Sequence, residues 1–277
     1  MVAAQMMTKK PIKRFLKKWL ITFKVMPIII FVTIAKFLAH QFELEVMDLN
    51  ALFTSLVAGT IFLIGFLIAG VLSDYKESEK IPSELSASMK TLLDDTYTIS
   101  RIKQMDASSR FMQYQRSFST VLLDWFHKKE KTPEILKKIS DMNDYFIAFD
   151  REGIQANYII KLKNEQNNLR RMILRVDTIR NTNFVGSAYA IVETMGFVIA
   201  GGLITIKITP FYLSLFFTLL ITFLVFYMIL LIKDLDNPFD YSDSIHIGTE
   251  ISLKPLHEHV ASFENGTFIQ VHPTSAS

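Results

Sequence analysis

The sequence predicts an all-α integral membrane protein: four transmembrane helices, with a helical cytoplasmic domain between the second and the third. Three observations carry this. Half of the 277 residues are hydrophobic and they cluster: Leu49–Ser73 and Ile208–Ile232 carry no charge, and Phe184–Ile206 carries only Glu193. Each run is long enough for a ~30 Å hydrocarbon core, which takes ~20 apolar residues. Lys and Arg collect on alternate connections between the runs, the pattern that fixes orientation in membranes. The long segment between the second and third runs is polar, poor in glycine and without strand alternation, so it reads as helical.

The elements follow in order. Residues 1–18 form a basic leader with Lys9, Lys10, Lys13, Arg14, Lys17 and Lys18 and no acid. Residues 19–73 hold the first two spans and a short outer loop. The first span, from Trp19 to Leu38, is interrupted by Pro27 and contains Lys24 and Lys36, which lie near its ends and are expected to snorkel. It is read as an uncleaved span, because it is long and another span follows soon. The loop Gln41–Asn50 contains Glu43, Glu45 and Asp48 and no Lys or Arg, so it should face outward.

Residues 74–183 form the cytoplasmic domain. Thr132 followed by Pro133 reads as an N-cap and a first helical turn. Gly153 reads as a break after a helix. Beyond it Ile159, Leu162, Leu169, Ile173, Val176 and Ile179 recur at helical spacing, giving an apolar stripe for intrachain packing. Arg170, Arg171, Arg175 and Arg180 precede the third span and agree with a cytoplasmic start. Residues 184–232 hold the third and fourth spans, joined by an outer hairpin at Lys207–Pro210. Residues 233–277 are expected to be a cytoplasmic tail, extended over other surfaces or partly disordered, with His246, His257, His259 and His272 among its polar stretches. Both termini are expected on the cytoplasmic side.

The residues argue against several classes of function. With no cysteine there is no disulfide framework, Cys-ligated zinc or thiol nucleophile. A net charge of +3 does not point to nucleic acid. No phosphate-cradling glycine loop, helical His-Glu-x-x-His motif or G-x-S-x-G elbow occurs, so nothing supports catalysis and the protein is not read as an enzyme. The triplet Asn265-Gly266-Thr267 matches a glycosylation sequon, but the topology puts it inside.

Three membrane features remain. Glu193 sits near the middle of the third span, where a charge faces a partner or water: it reads either as an ion-path or gating residue or as a structural group, paired with Lys24 or Lys36 or protonated and bonded to a neighbour, and the structural reading is preferred. Small residues four apart let helix backbones approach: Ser55 and Gly59, Gly65 and Ala69, Gly186 and Ala190, Gly196 and Ala200. Ala58, Phe62 and Phe66 share one face of the second span.

The second span, Ile64-Gly65-Phe66-Leu67-Ile68-Ala69-Gly70-Val71-Leu72-Ser73-Asp74-Tyr75, resembles the pore-lining helix of bestrophins. Bestrophins carry three apolar neck residues at i+4 spacing on that helix, and here these positions fall on Ala58, Phe62 and Phe66. Asn237-Pro238-Phe239 after the fourth span is similar to the bestrophin Asn-Pro-Phe segment, and Leu235–Phe239 fits the bacterial bestrophin-like pattern. The resemblance implies a homo-oligomeric, pentameric ion channel in a bacterial inner membrane, in contact with lipid and permeating ions. Anion conduction is the family default. Glu43, Glu45 and Asp48 would favour cations if they ring the entrance. The alternative is a non-conducting scaffold or sensor. The resemblance also places a calcium site near Asp240 and Asp243. Animal members carry a dense acidic run there, and this chain does not. We therefore expect Asp234 and Asp236 to pair with juxtamembrane Lys or Arg, and Asp240 and Asp243 to be solvated.

Overall fold

The computed structural model describes residues 2–181, 186–241 and 250–264, with side chains from 19 to 263. The chain divides into two compact units, one of residues 1–75, 183–238 and 245–249, the other of 76–182, 239–244 and 250–277.

The first unit contains α1 (Val2–Gln41), β1 (Met47–Asp48), α2 (Ala51–Ser78, as far as residue 75), α7 (Gly186–Thr205), β2 (Ile206–Lys207) and α8 (Phe211–Asp236). Four helical stretches are long and apolar enough to cross a membrane. Pro27 does not break the first of them: α1 continues through it. The loss of one hydrogen bond is tolerable in an otherwise apolar helix packed along its length. α1 lies on α7 and α8, with Ile21 and Val25 against Ala200 and Phe226. α8 closes on α7 at Gly196, where an added Cβ would stand 3.2 Å from Ile229 Cδ1. Of the small pairs, only Gly196 and Ala200 are buried within the subunit; Ser55, Gly59, Gly65, Ala69, Gly186 and Ala190 are exposed.

α2 joins this unit through one face only. Ile64, Leu67 and Val71 pack on Val192, Val225, Ile229 and Ile232. At its first turn Phe53 packs on Ile199, Leu203 and Ile206, lying across Gly202. A two-residue parallel ribbon pairs Met47 with Ile206 and Asp48 with Lys207, the only strand pairing among the described residues.

The second unit contains α3 (Ile81–Ile102), α4 (Asp106–Phe126), α5 (Thr132–Arg151), α6 (Ala156–Asn181) and α9 (Lys254–Glu264). Short loops make α3–α6 an up-down bundle, as such connections dictate. Its core is built from Leu85, Leu92, Phe111, Phe118, Ile139, Phe146, Leu169 and Ile173, all buried. The α6 stripe is buried from Ile159 to Val176, with Ile179 half-buried, and α6 packs on α3 and α5 of the same chain. It also contains Gln166, which donates to the Ile139 carbonyl at 2.6 Å and so escapes the cost of burial. Gly153 does break the chain, at φ +74°, a conformation that costs glycine little. Thr132 is the first residue of α5 rather than its cap: its hydroxyl accepts from Trp125 Nε1 at 3.2 Å and donates to Asp177. The extended tail needs a further correction. Residues 254–264 form α9, which docks on α3 and α4 through Leu256, His259 and Phe263. The pattern Leu256, His259, Phe263 is a short apolar stripe once the histidine is neutral.

Candidate pore-facing helix and the charged sites around it

The free face of α2 gathers the predicted neck residues. Phe62 and Phe66 are 77% and 69% exposed in the subunit, and Ala58 is exposed beside them. Gly59 and Gly65 lie on the same side, with nothing within 4 Å of an added Cβ. α2 is therefore two-faced although it is apolar on both: branched aliphatics meet α7 and α8, while phenyl rings alternating with glycine, alanine and serine face away. No periodicity of polarity could reveal this, because neither face is polar.

The three acids of the 41–50 loop separate in the structure. Glu43, at φ +55°, and Asp48 are exposed. Glu45 is turned inward: its side chain is 8% exposed, 2.7 Å from Lys36 Nζ and 2.9 Å from His40 Nδ1. Burial opposes its ionisation, but the bonds and charges of Lys36 and His40 outweigh it and hold the carboxyl below the ordinary glutamate range. The charge of Glu45 is thus compensated within the subunit. Lys36 does not snorkel. It is wholly buried and donates also to the carbonyls of Ile206 (2.6 Å) and Ile204 (3.2 Å). Lys24 is exposed.

Glu193 pairs with Lys233 on α8, not with Lys24 or Lys36. Both side chains stay part-exposed, at 37% and 48%, so the pair reaches the edge of the packed core. The sequence contained the signal: Lys233 is the first charge after the fourth span, and antiparallel helices bring it level with the first third of α7.

Asp240 is not simply solvated, since Lys128 Nζ lies 2.6 Å from it. Among the described residues no three His, Asp or Glu converge as metal ligands. Asp243, the other predicted ligand, lies outside the described residues, as do His246, His272 and the sequon. Arg180 has a role its sequence context concealed. It stacks on Trp125 at 4.6 Å and donates to the carbonyls of Trp125 (3.3 Å) and Phe126 (2.8 Å), capping the end of α4. Burial pushes its guanidinium down, while Tyr241, Asp177 and Asp240 oppose that. Phe239, of the Asn-Pro-Phe segment, is buried against Phe126 at 5.9 Å between ring centres.

This architecture is that of solved membrane proteins. A crystal structure of a bacterial bestrophin homologue from Klebsiella pneumoniae is similar to the chain with a TM-score of 0.73 at 14% identity, over 91% of this chain and 100% of that one. A second structure of a Klebsiella pneumoniae bestrophin homologue, carrying a point mutation, gives 0.74 at 14% identity over 88% and 99%. A crystal structure described only as a membrane protein gives 0.73 at 14% identity over 89% and 98%. No family model matches the chain, and no curated protein does. The fold is therefore bestrophin-like: an all-α membrane protein built on the plan of those homologues.

Proposed function

We propose that the protein is a homo-oligomeric ion channel, with five copies of α2 around a central pore and a neck at Phe62 and Phe66. The observation that carries the reading is the free face of α2. It is uncharged from Leu49 to Ser73 and lined by rings and small residues that nothing in the subunit covers. Small residues suit close approach to other copies, and paired rings suit an apolar constriction that gates by dewetting. Ala58, where the resemblance expects a larger residue, makes the outer part of the neck wider. In this reading the ribbon end of the membrane unit faces outward. The basic leader and the helical unit lie in the cytoplasm of a bacterial cell. Glu43 and Asp48 stand at the entrance, and anions are the permeating ions.

The test is ion flux in liposomes under opposed chloride and potassium gradients, with the wild type beside the Phe62→Ala/Phe66→Ala variant. The expected result is chloride flux that rises in the double variant. An inert wild type that migrates as a monomer would overturn the reading.

A further inference from the structure

The segment between α1 and α2 is folded inside out. Phe42, Leu44 and Val46 are 67%, 56% and 80% exposed, while the carboxylate between them, Glu45, is turned into the protein. In water, burial of apolar side chains would favour the opposite arrangement; here a polar interaction holds the carboxylate inward. Lys36 supplies it. Its ammonium has three donors, and three acceptors surround it: the carbonyls of Ile204 and Ile206, where α7 ends, and Glu45. His40, one turn further along α1, bonds the second oxygen of Glu45 and stacks on Phe211, the first residue of α8, with ring centres 4.1 Å apart. The carboxylate thereby fastens the loop to two α1 side chains, of which Lys36 reaches the end of α7 and His40 the start of α8. The chain after it enters β1 and then α2, whose first turn is capped by Asn50 accepting from the Phe53 N–H at 2.9 Å.

We propose that Lys36, Glu45 and His40 form a proton-sensitive brace that holds the 42–50 segment in position at the head of α2, and that acid releases it. The charged groups acting on Glu45 are Lys36 and His40, both from α1. Glu43 and Asp48 point to solvent, Lys207 is exposed opposite Asp48 in the ribbon, and α8 contributes only the Phe211 ring. Protonating His40 turns its bond to Glu45 into an ion pair and tightens the brace. Protonating Glu45 removes its charge and turns one of its oxygens from acceptor into donor, so the ion pair with Lys36 is lost and the 42–50 segment is no longer held. A carboxylate stabilised in the folded state contributes above its ordinary range, and the contribution is lost as the pH falls through the lowered value. Release is therefore expected below the ordinary glutamate range. Lys36 and Glu45 act as positioning residues, and the consequence for conduction rests on the channel reading above. The brace itself does not.

The absence of native cysteine allows the test on the full chain. A nitroxide is attached at Val46→Cys in the protein in liposomes, and its mobility is followed by electron paramagnetic resonance from neutral pH into acid. The label should be restrained at neutral pH and become several-fold more mobile in acid. Glu45→Gln should be mobile at all pH values, without a transition. Lys36→Arg should keep the transition, and His40→Gln should shift it to higher pH. A label at Ile147→Cys, exposed on α5, reports general unfolding. A transition there at the same pH, an unmoved Val46 label, or a Glu45→Gln variant that behaves as wild type would each overturn the brace. Flux measured in the same liposomes is a separate readout: a working brace in a protein that conducts nothing removes the channel reading alone.

Discussion

Gly202→Ala should displace Phe53 and loosen the outer turn of α2. A Cβ at Gly202 would stand 2.3 Å from Phe53 Cε2 and 3.1 and 3.2 Å from its neighbours, so the ring has to move. Overpacking of this kind costs about 1–3 kcal/mol. The structure argues for the lower end, because the ring borders a groove of about 510 Å³ lined by Leu52, Leu56 and Val198 into which it can swing. About 1 kcal/mol corresponds to a fall in Tm of roughly 2–4 °C for a body of this size. Thermal unfolding in detergent measures it. Phe53→Leu removes the clashing atoms, so the double variant should lose about 1 kcal/mol less than the sum of the two single losses. Gly201→Ala is the control: nothing lies within 4 Å, and alanine favours a helix over glycine. A Gly202→Ala protein that melts with the wild type, or a cycle that is additive, would refute the placement of Phe53 across Gly202.

Gly59→Ala and Gly65→Ala meet nothing within the subunit, so melting of the isolated subunit should not fall; a shift in native mass or a change in flux then measures contact between copies. Lys233→Met should strip Glu193 of its partner and cut insertion and yield, an unpaired charge at membrane depth costing upward of ~2.5 kcal/mol. Adding Glu193→Gln should restore both, and failure to restore would show that the pair is incidental. His259 is buried in α9 against Phe263, and burial, with Lys90 nearby, depresses it from 6.5 to about 4. The unfolded tail then binds the proton first, so docking of α9 should be complete above pH 6.5 and weaken as the pH falls toward 4, read by proteolysis after the last described helix. Glu43→Gln with Asp48→Asn should raise the chloride-to-potassium permeability ratio in liposomes; an unchanged ratio would remove these acids from the entrance.

The spans and the bundle were legible because their signals are long. Twenty-odd residues without charge, or Leu162, Leu169, Ile173 and Val176 at helical spacing, admit one reading. What escaped was decided by partners distant in sequence. Lys36 looks like a snorkelling lysine until the end of α7 brings the Ile204 and Ile206 carbonyls to it. Glu45 reads like its neighbours Glu43 and Asp48, yet it alone turns inward. α9 was missed because its stripe includes His259, which counts as apolar only when buried and neutral. The free face of α2 was pointed to by resemblance alone, since Ala58, Phe62 and Phe66 differ from Ile64 and Leu67 only in which side of α2 they occupy.

The disposition of charge narrows how selectivity can work in the proposed channel. Glu45 in the outer loop is matched by Lys36 and Glu193 in the third span by Lys233, so both pairs are satisfied inside one subunit. α2 itself has no charge between Leu49 and Ser73. An ion in the neck would meet phenyl edges, hydroxyls and backbone dipoles, and no formal charge. Rejection of the wrong sign must then fall to the two ends of α2. At one end Asp48 stands opposite Lys207 in the ribbon, leaving Glu43 as the exposed acid not set against a cation there. At the other, Asp74 and Lys76 lie two residues apart and are both exposed. The outer end therefore keeps one acid per subunit beyond the Asp48–Lys207 pair, while Asp74 and Lys76 offset each other at the inner end. Selectivity resting on so few charges is weak and easily shifted by one substitution, because an exposed charge acts through water and is screened within about 10 Å at 0.1 M salt. In the proposed channel the apolar neck would control whether ions pass at all, and a few exposed side chains which sign passes. The two properties should therefore respond to different substitutions.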